Sequence, residues 1–184
     1  MADHPKTFQQ LWRTLGSDRR KAAANALLAK GDRTQQTLVT NLIAMKLKFR
    51  PHKAAQLPPE RKAHYVATMD YIDDGVAGAL VRDYLFAQQR PMLSRFLDSL
   101  GIPHKDGEIE EKADIPKPAH DALKTALGTI RGEFNADEVA IYTNALALSD
   151  PDFWGELRTV SDEPQDVVEP SGKSATAEGQ EKAS

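Results

Sequence analysis

The chain has 184 residues, of which 40% are hydrophobic and 28% charged, with no cysteine and a net charge of −3. That is enough apolar material for one good-sized core, and the missing cysteines exclude disulfides, thiolate metal sites and cysteine nucleophiles. The most apolar stretches, around positions 38–45 and 76–81, are far too short for a bilayer, and the first six residues lack a basic start followed by an apolar run, so a cytoplasmic protein without a membrane segment is expected.

Helical periodicity recurs along the chain, whereas no alternation of β-branched and polar residues persists for more than a few positions. Leu11, Trp12 and Leu15 stand at helical spacing in a first segment, Phe8–Leu15, that Gly16 is expected to end as a left-handed cap. Ser17 is then expected to cap a helix running to about Lys30 through Ala22, Ala23, Ala24, Leu27 and Leu28, with Gly31 as its stop. Asp32, followed three residues later by Gln35, is a capping-box variant opening a third helix. That helix carries Leu38, Val39, Leu42, Ile43 and Met45–Leu47 and should close at Arg50-Pro51, because proline disfavours helix at the residue before it.

Pro59 and Glu60 suit the first turn of the next helix, which carries Ala63, Tyr65, Val66 and Met69. One of the acids in Asp70–Asp74 caps a helix from Gly75 to about Gln89. In Pro91–Leu100 the residues Met92, Leu93, Phe96, Leu97 and Leu100 form one stripe. Gly101-Ile102-Pro103 reads as a Schellman ending, with Ile102 against Leu97. Lys105-Asp106-Gly107 is a tight-turn signal, and Glu108–Ile109 suits a short extended piece. Pro118 introduces a helix with Leu123, Leu127, Ile130 and Phe134 on one face. Asn135 and Glu138 cap the next, lined by Val139, Tyr142 and Leu146. Ser149-Asp150-Pro151 opens a last short helix with Phe153, Trp154 and Leu157. From 159 to 184 the composition is acidic, small and polar without an aromatic, which predicts a disordered tail.

The predicted fold is therefore all-α: an irregular or orthogonal bundle of about seven to nine short helices, with a basic head (1–53), a main bundle (54–158) and a disordered acidic tail (159–184). The head carries eleven basic and three acidic residues, a balance of +8, which leaves −11 for the remainder. Opposite charge would help the head pack on the rest, or leave it open to an anionic partner.

Two sets of side chains are candidate sites. Lys46, Lys48, Arg50 and Lys53 cluster near the end of the third helix, where they could hold phosphate or an acidic protein surface, although cations there also complement the helix dipole. Gln89, Arg90, His104 and Asp106 bracket the apolar 91–100 helix and could line a surface notch.

Further features carry weaker signals. Gly31 between two helices, with Arg33, Thr34, Gln35 and Gln36 opening the second, is similar to a helix-turn-helix, which would imply DNA binding. Thr37 and Thr40, however, stand where that motif needs packing residues. His120-Asp121 is similar to the His-Asp pair of the HD family of metal-dependent phosphohydrolases. That resemblance would imply His104 upstream and Asp137 or Asp150 downstream as further ligands. It covers two adjacent residues, and an acid in a first turn is also what the dipole favours. His64 with Asp70, Asp73 and Asp74 matches no metal or catalytic spacing. No phosphate loop, dinucleotide glycine turn or zinc-protease motif occurs. The expectation is thus a non-catalytic protein-interaction or regulatory module, partnered by another protein and needing no cofactor or metal. A nucleic-acid-binding head and an enzyme with a non-standard His/carboxylate site are the alternatives.

Overall fold

Residues 4–110 and 114–163 are described in a computed structural model, and helices dominate it. They are α1 (Phe8–Thr14), α2 (Ser17–Lys30), α3 (Arg33–Leu47), α4 (Pro51–Ala55), α5 (Pro59–Ala67) and α6 (Asp74–Gln88). After them come α7 (Arg90–Ser99), α8 (His120–Glu133), α9 (Ala136–Ser149), α10 (Pro151–Trp154) and α11 (Glu156–Asp162). Two-residue strands β1 (His104–Lys105) and β2 (Glu108–Ile109) pair antiparallel between α7 and α8, with His104 opposite Ile109. Among the described residues no helix is long and apolar enough to cross a membrane. The all-α expectation holds. The helical segments exceed the expected number because Pro51 opens an additional helix of five residues and the expected last helix is divided at Gly155 into α10 and α11.

Local chemistry sets most boundaries. The first N–H groups of a helix need an outside acceptor. Asp32 supplies one at α3, accepting from Thr34 and Gln35 backbone N–H at 2.6 and 3.3 Å. Asp73 at α6, Asn135 at α9 and Asp150 at α10 do the same. At the far end of α7, Gly101 adopts φ +66°, and the Ile102 N–H reaches the Leu97 carbonyl at 3.0 Å, the Schellman geometry expected. Asp106 and Gly107 both have positive φ, the requirement of a two-residue hairpin turn of the primed type.

Four expectations are corrected. Gly16 is not a left-handed cap: it is extended (φ −64°, ψ 160°) and is itself the N-cap of α2, so Ser17 lies inside the helix. Gln35 does not complete a reciprocal box; its Oε1 is buried without a partner. Arg50-Pro51 ends nothing, since α3 already closes at Lys48, and Pro51 starts α4 with Arg50 as its cap. Helix also continues past Thr159: α11 runs to Asp162, with Val160 buried and the Ser161 carbonyl accepting from Arg131 Nη2 at 3.0 Å. The rest of the tail, 164–184, lies outside the described residues.

One apolar cluster extends from Leu11 to Val160. α6 lies at its centre, and α2 packs on both α5 and α6, so the first fifty residues share this core. Trp12 is fully buried and its Nε1 donates to the Met69 carbonyl at 2.8 Å. Phe96 meets the Tyr142 ring edge-on at 5.4 Å and the Trp154 ring at 6.0 Å, drawing α7, α9 and α10 together. Each such large side chain contributes roughly 1.5–3 kcal/mol by leaving water.

Two arginines of α2 have their charge matched, Arg20 inside this core and Arg19 at its edge. Arg20 is buried, donating to the Trp12 and Arg13 carbonyls and to Asp70 at 2.9 Å. The Arg20 guanidinium, by hydrogen bond and charge, holds the Asp70 carboxyl below its usual range. Arg19 Nε donates to Glu138 at 2.7 Å, and the Tyr84 hydroxyl donates to the same carboxylate at 2.9 Å. Burial first, then Glu138, pushes the Tyr84 phenol up, so it remains a donor.

Candidate functional site

With Arg19 and Arg20 engaged, the unpaired positive charge of the first third of the chain concentrates elsewhere. Between Arg33 and Lys62 there are seven basic residues and one acid. Lys48, Arg50 and Lys53 stand exposed around the corner between α3 and α4, and among the described residues none has a salt-bridge or side-chain hydrogen-bond partner. Lys46, the fourth member of the predicted cluster, is different: its Nζ reaches back to the Thr68 carbonyl at 3.0 Å and hydroxyl at 2.8 Å, tying α3 to the end of α5.

The helix beside this corner is apolar on two opposite sides. At 100° per residue, Val39, Ile43 and Ala44 fall on the side turned to the core, and all three are buried. Leu38, Met45 and Phe49 fall on the other side in one line, with Leu42 between them still partly buried against the core. Leu38 is 42% exposed, Met45 72% and Phe49 44%. Phe49 is held there by the end of α3. Lys48 takes a left-handed conformation (φ 53°), and the Phe49 N–H bonds the Ala44 carbonyl at 2.8 Å, a Schellman ending built on a non-glycine residue. The ending sets Phe49 at the foot of the stripe and Lys48 beside it. A shallow groove of about 490 Å³ runs alongside, between Arg33, Gln36, Thr37, Thr40 and Asn41 of α3 and Pro51, His52 and Ala55 of α4. The Thr37 and Thr40 hydroxyls both donate back to α3 carbonyls, leaving Arg33, Asn41 and His52 as the groove's polar ends.

The second predicted set comes together only in part. Arg90 Nη1 lies 3.9 Å from Asp106, and its guanidinium sits 5.8 Å over the Phe86 ring. His104 is close by but turned to α7: its Nε2 meets Asp98 at 3.1 Å, while Nδ1 accepts from the Gly107 N–H at 3.2 Å. That pattern places the ring proton on Nε2. Gln89 is not on this surface; it is half-buried at the α6–α7 joint, beside the Tyr84 hydroxyl.

Most of the remaining sequence candidates make structural contacts, while His64 stands exposed beside the Tyr65 ring. Asp70 serves Arg20, Asp73 caps α6, and Asp74 accepts from the Gln9 N–H at 2.8 Å. His120 is gripped by Glu156 at 3.0 Å and Glu163 at 2.9 Å. Among the described residues no group of three or more His, Asp or Glu could hold a metal ion. The stripe on α3 was missed as a surface because its leucines and methionine fit helical periodicity equally well as core. The available signal was the width of the apolar pattern around the helix. No protein-family model, curated protein or solved structure matches the chain.

Proposed function

We propose that the protein is a non-catalytic interaction module whose α3–α4 face receives an acidic, amphipathic segment of a partner protein. One observation carries this reading: the line Leu38–Met45–Phe49 lies open on a helix already anchored by its other side, and unpaired Lys48, Arg50 and Lys53 stand at its end. Aligned, exposed apolar side chains rimmed by charge mark a contact surface.

The energetics define the kind of complex. Covering the exposed parts of these three side chains contributes roughly 2–5 kcal/mol, less than association costs in lost freedom. The cations must therefore supply steering and specificity, which makes the complex transient and salt-sensitive. A second copy of this chain is a poor occupant, because it would bring the same cations against themselves. Base reading by α3 as a recognition helix is disfavoured too, since its outward face presents Leu38 and Met45 where polar readers are needed.

A photo-crosslinking residue at position 45 tests the reading. The expected product is a crosslink to an acidic segment with apolar residues at helical spacing, lost when Lys48, Arg50 and Lys53 are all changed to Glu. Crosslinks only to nucleic acid or to the chain itself, or crosslinks indifferent to the charge reversal, would overturn it.

A further inference from the structure

Against α6 lies a half-open hollow of about 370 Å³. Its walls come from five elements: Phe8 of α1, the Gly78–Leu85–Phe86 face of α6, Leu93 of α7, Ile109 of β2, and Tyr142 and Leu146 of α9. Two glycines keep it shaped. A Cβ on Gly107 would lie 2.6 Å from the Leu93 Cβ, so only glycine lets the hairpin lie this close against α7. A Cβ on Gly78 would press on the Phe8 ring at 3.2 Å.

Very few polar groups reach this hollow. Tyr142 is buried, and among the described residues its hydroxyl has no hydrogen-bond partner. The hydroxyl is not among the side-chain atoms cut off from solvent, so it is open to a ligand in the hollow that its residue lines. Burial pushes its phenol far up, so it stays a donor seeking an acceptor. Ser149 is spent on the Leu146 carbonyl at 2.8 Å. The one charged lining residue is Arg82, which sits between Gly78 and Phe86 on α6 with its side chain 58% exposed. Its closest partner is Asp83, at a long 3.5 Å. Arg82 and Phe86 also border a second, polar hollow in which Lys30 and Arg90 face Asp32, Asp83 and Glu108. With Arg82 counted, that second hollow is balanced in charge, whereas the first carries only the arginine.

We propose that this hollow is a binding site for a small monocarboxylate with an apolar chain, the chain filling the space between Phe8 and Leu146 and the carboxylate meeting Arg82 and the Tyr142 hydroxyl. At about 30 Å³ per water-sized group the space holds roughly twelve such groups, which suits a ten-carbon chain with its head. The pocket size and the ratio of many apolar to few convergent polar groups are those of small-molecule sites generally. The site shares no residue with the α3–α4 face, so it stands or falls independently of the interaction reading.

Titration calorimetry of the full chain with sodium decanoate tests it, with 1-decanol and sodium acetate as controls. Saturable one-to-one binding of decanoate is expected, with decanol about tenfold weaker for want of a charge-assisted bond, and acetate not bound. Arg82→Gln, a change at an exposed side chain, should remove the preference for decanoate over decanol. Tyr142→Phe, which keeps the ring and its packing, should weaken decanoate severalfold. Absence of saturable binding, decanol binding as tightly as decanoate, or an undiminished preference in Arg82→Gln would each overturn the proposal.

Discussion

Arg19→Met isolates a buried carboxylate at a three-helix junction, and its cost follows from the geometry. Glu138 on α9 has its side chain only 11% exposed, and two donors hold it: Arg19 of α2 and Tyr84 of α6. Removing the arginine leaves the carboxylate buried with the tyrosine alone. Stripping one partner from a fully buried ion pair costs about 3–5 kcal/mol. Arg19 is 31% exposed, so water can enter beside it, and a discounted cost of about 2–3 kcal/mol is expected. For a domain of this size each kcal/mol moves the melting temperature by about 2–4 °C, so a fall of about 4–12 °C should appear. Replacing both residues, Arg19→Met with Glu138→Met, removes charge and desolvation together and should cost less than the single change. Urea melts followed by circular dichroism and tryptophan fluorescence give both numbers. A single-variant loss under about 0.5 kcal/mol, or a double variant losing the sum of the two singles, would refute the claim that Glu138 is buried against Arg19.

Three further outcomes follow from backbone and charge. Gly107→Ala meets both a positive φ and the Leu93 Cβ and should lose about 2–4 kcal/mol, whereas Gly101→Ala, with open space around it, should lose only about 1–2 kcal/mol; denaturant melts of the pair compare them. Lys48→Gly relieves a left-handed lysine and should raise stability by up to about 1 kcal/mol in the same assay, the gain limited by the added freedom of the unfolded chain. The hydrogen bond to Glu156, aided by the charge of Glu163, raises the His120 pKa above its ordinary 6.5. Its stabilisation is thus fully present below about pH 6.5 and lost as pH rises through the higher folded value. The melting-temperature gap between the natural chain and His120→Gln should accordingly be larger near pH 6 than near pH 8.

Particular residues show how far the sequence could be read. Asp32, Asp73, Asn135, Asp150 and Gly101 act locally, through bonds to residues two to five positions away, and each was legible as punctuation. The stripe Met92, Leu93, Phe96 and Leu97 was legible as core because it is the only apolar face of α7. α3 has two such faces, and periodicity alone cannot say which is covered; that depends on where α2, α5 and α6 lie. Arg19 and Arg20 carry no sequence signal beyond surface charge, and Glu138 reads as half of a capping pair with Asn135, although its carboxylate is taken by Arg19 and Tyr84. Arg19 meets Glu138 only because the fold brings together helices more than a hundred positions apart. Val160 read as tail because its few apolar neighbours in sequence are too sparse to form a core, yet α8 and α9 supply the missing surface.

The exposure of Met45 is the most direct test of the α3–α4 face as an interaction surface. Methionine oxidation footprinting of the purified chain should show Met45 reacting much faster than the fully buried Met92, and in concentrated native extract of low salt Met45 should become protected while Met92 is unchanged. Equal oxidation of Met45 in the purified chain and in the extract would contradict the account.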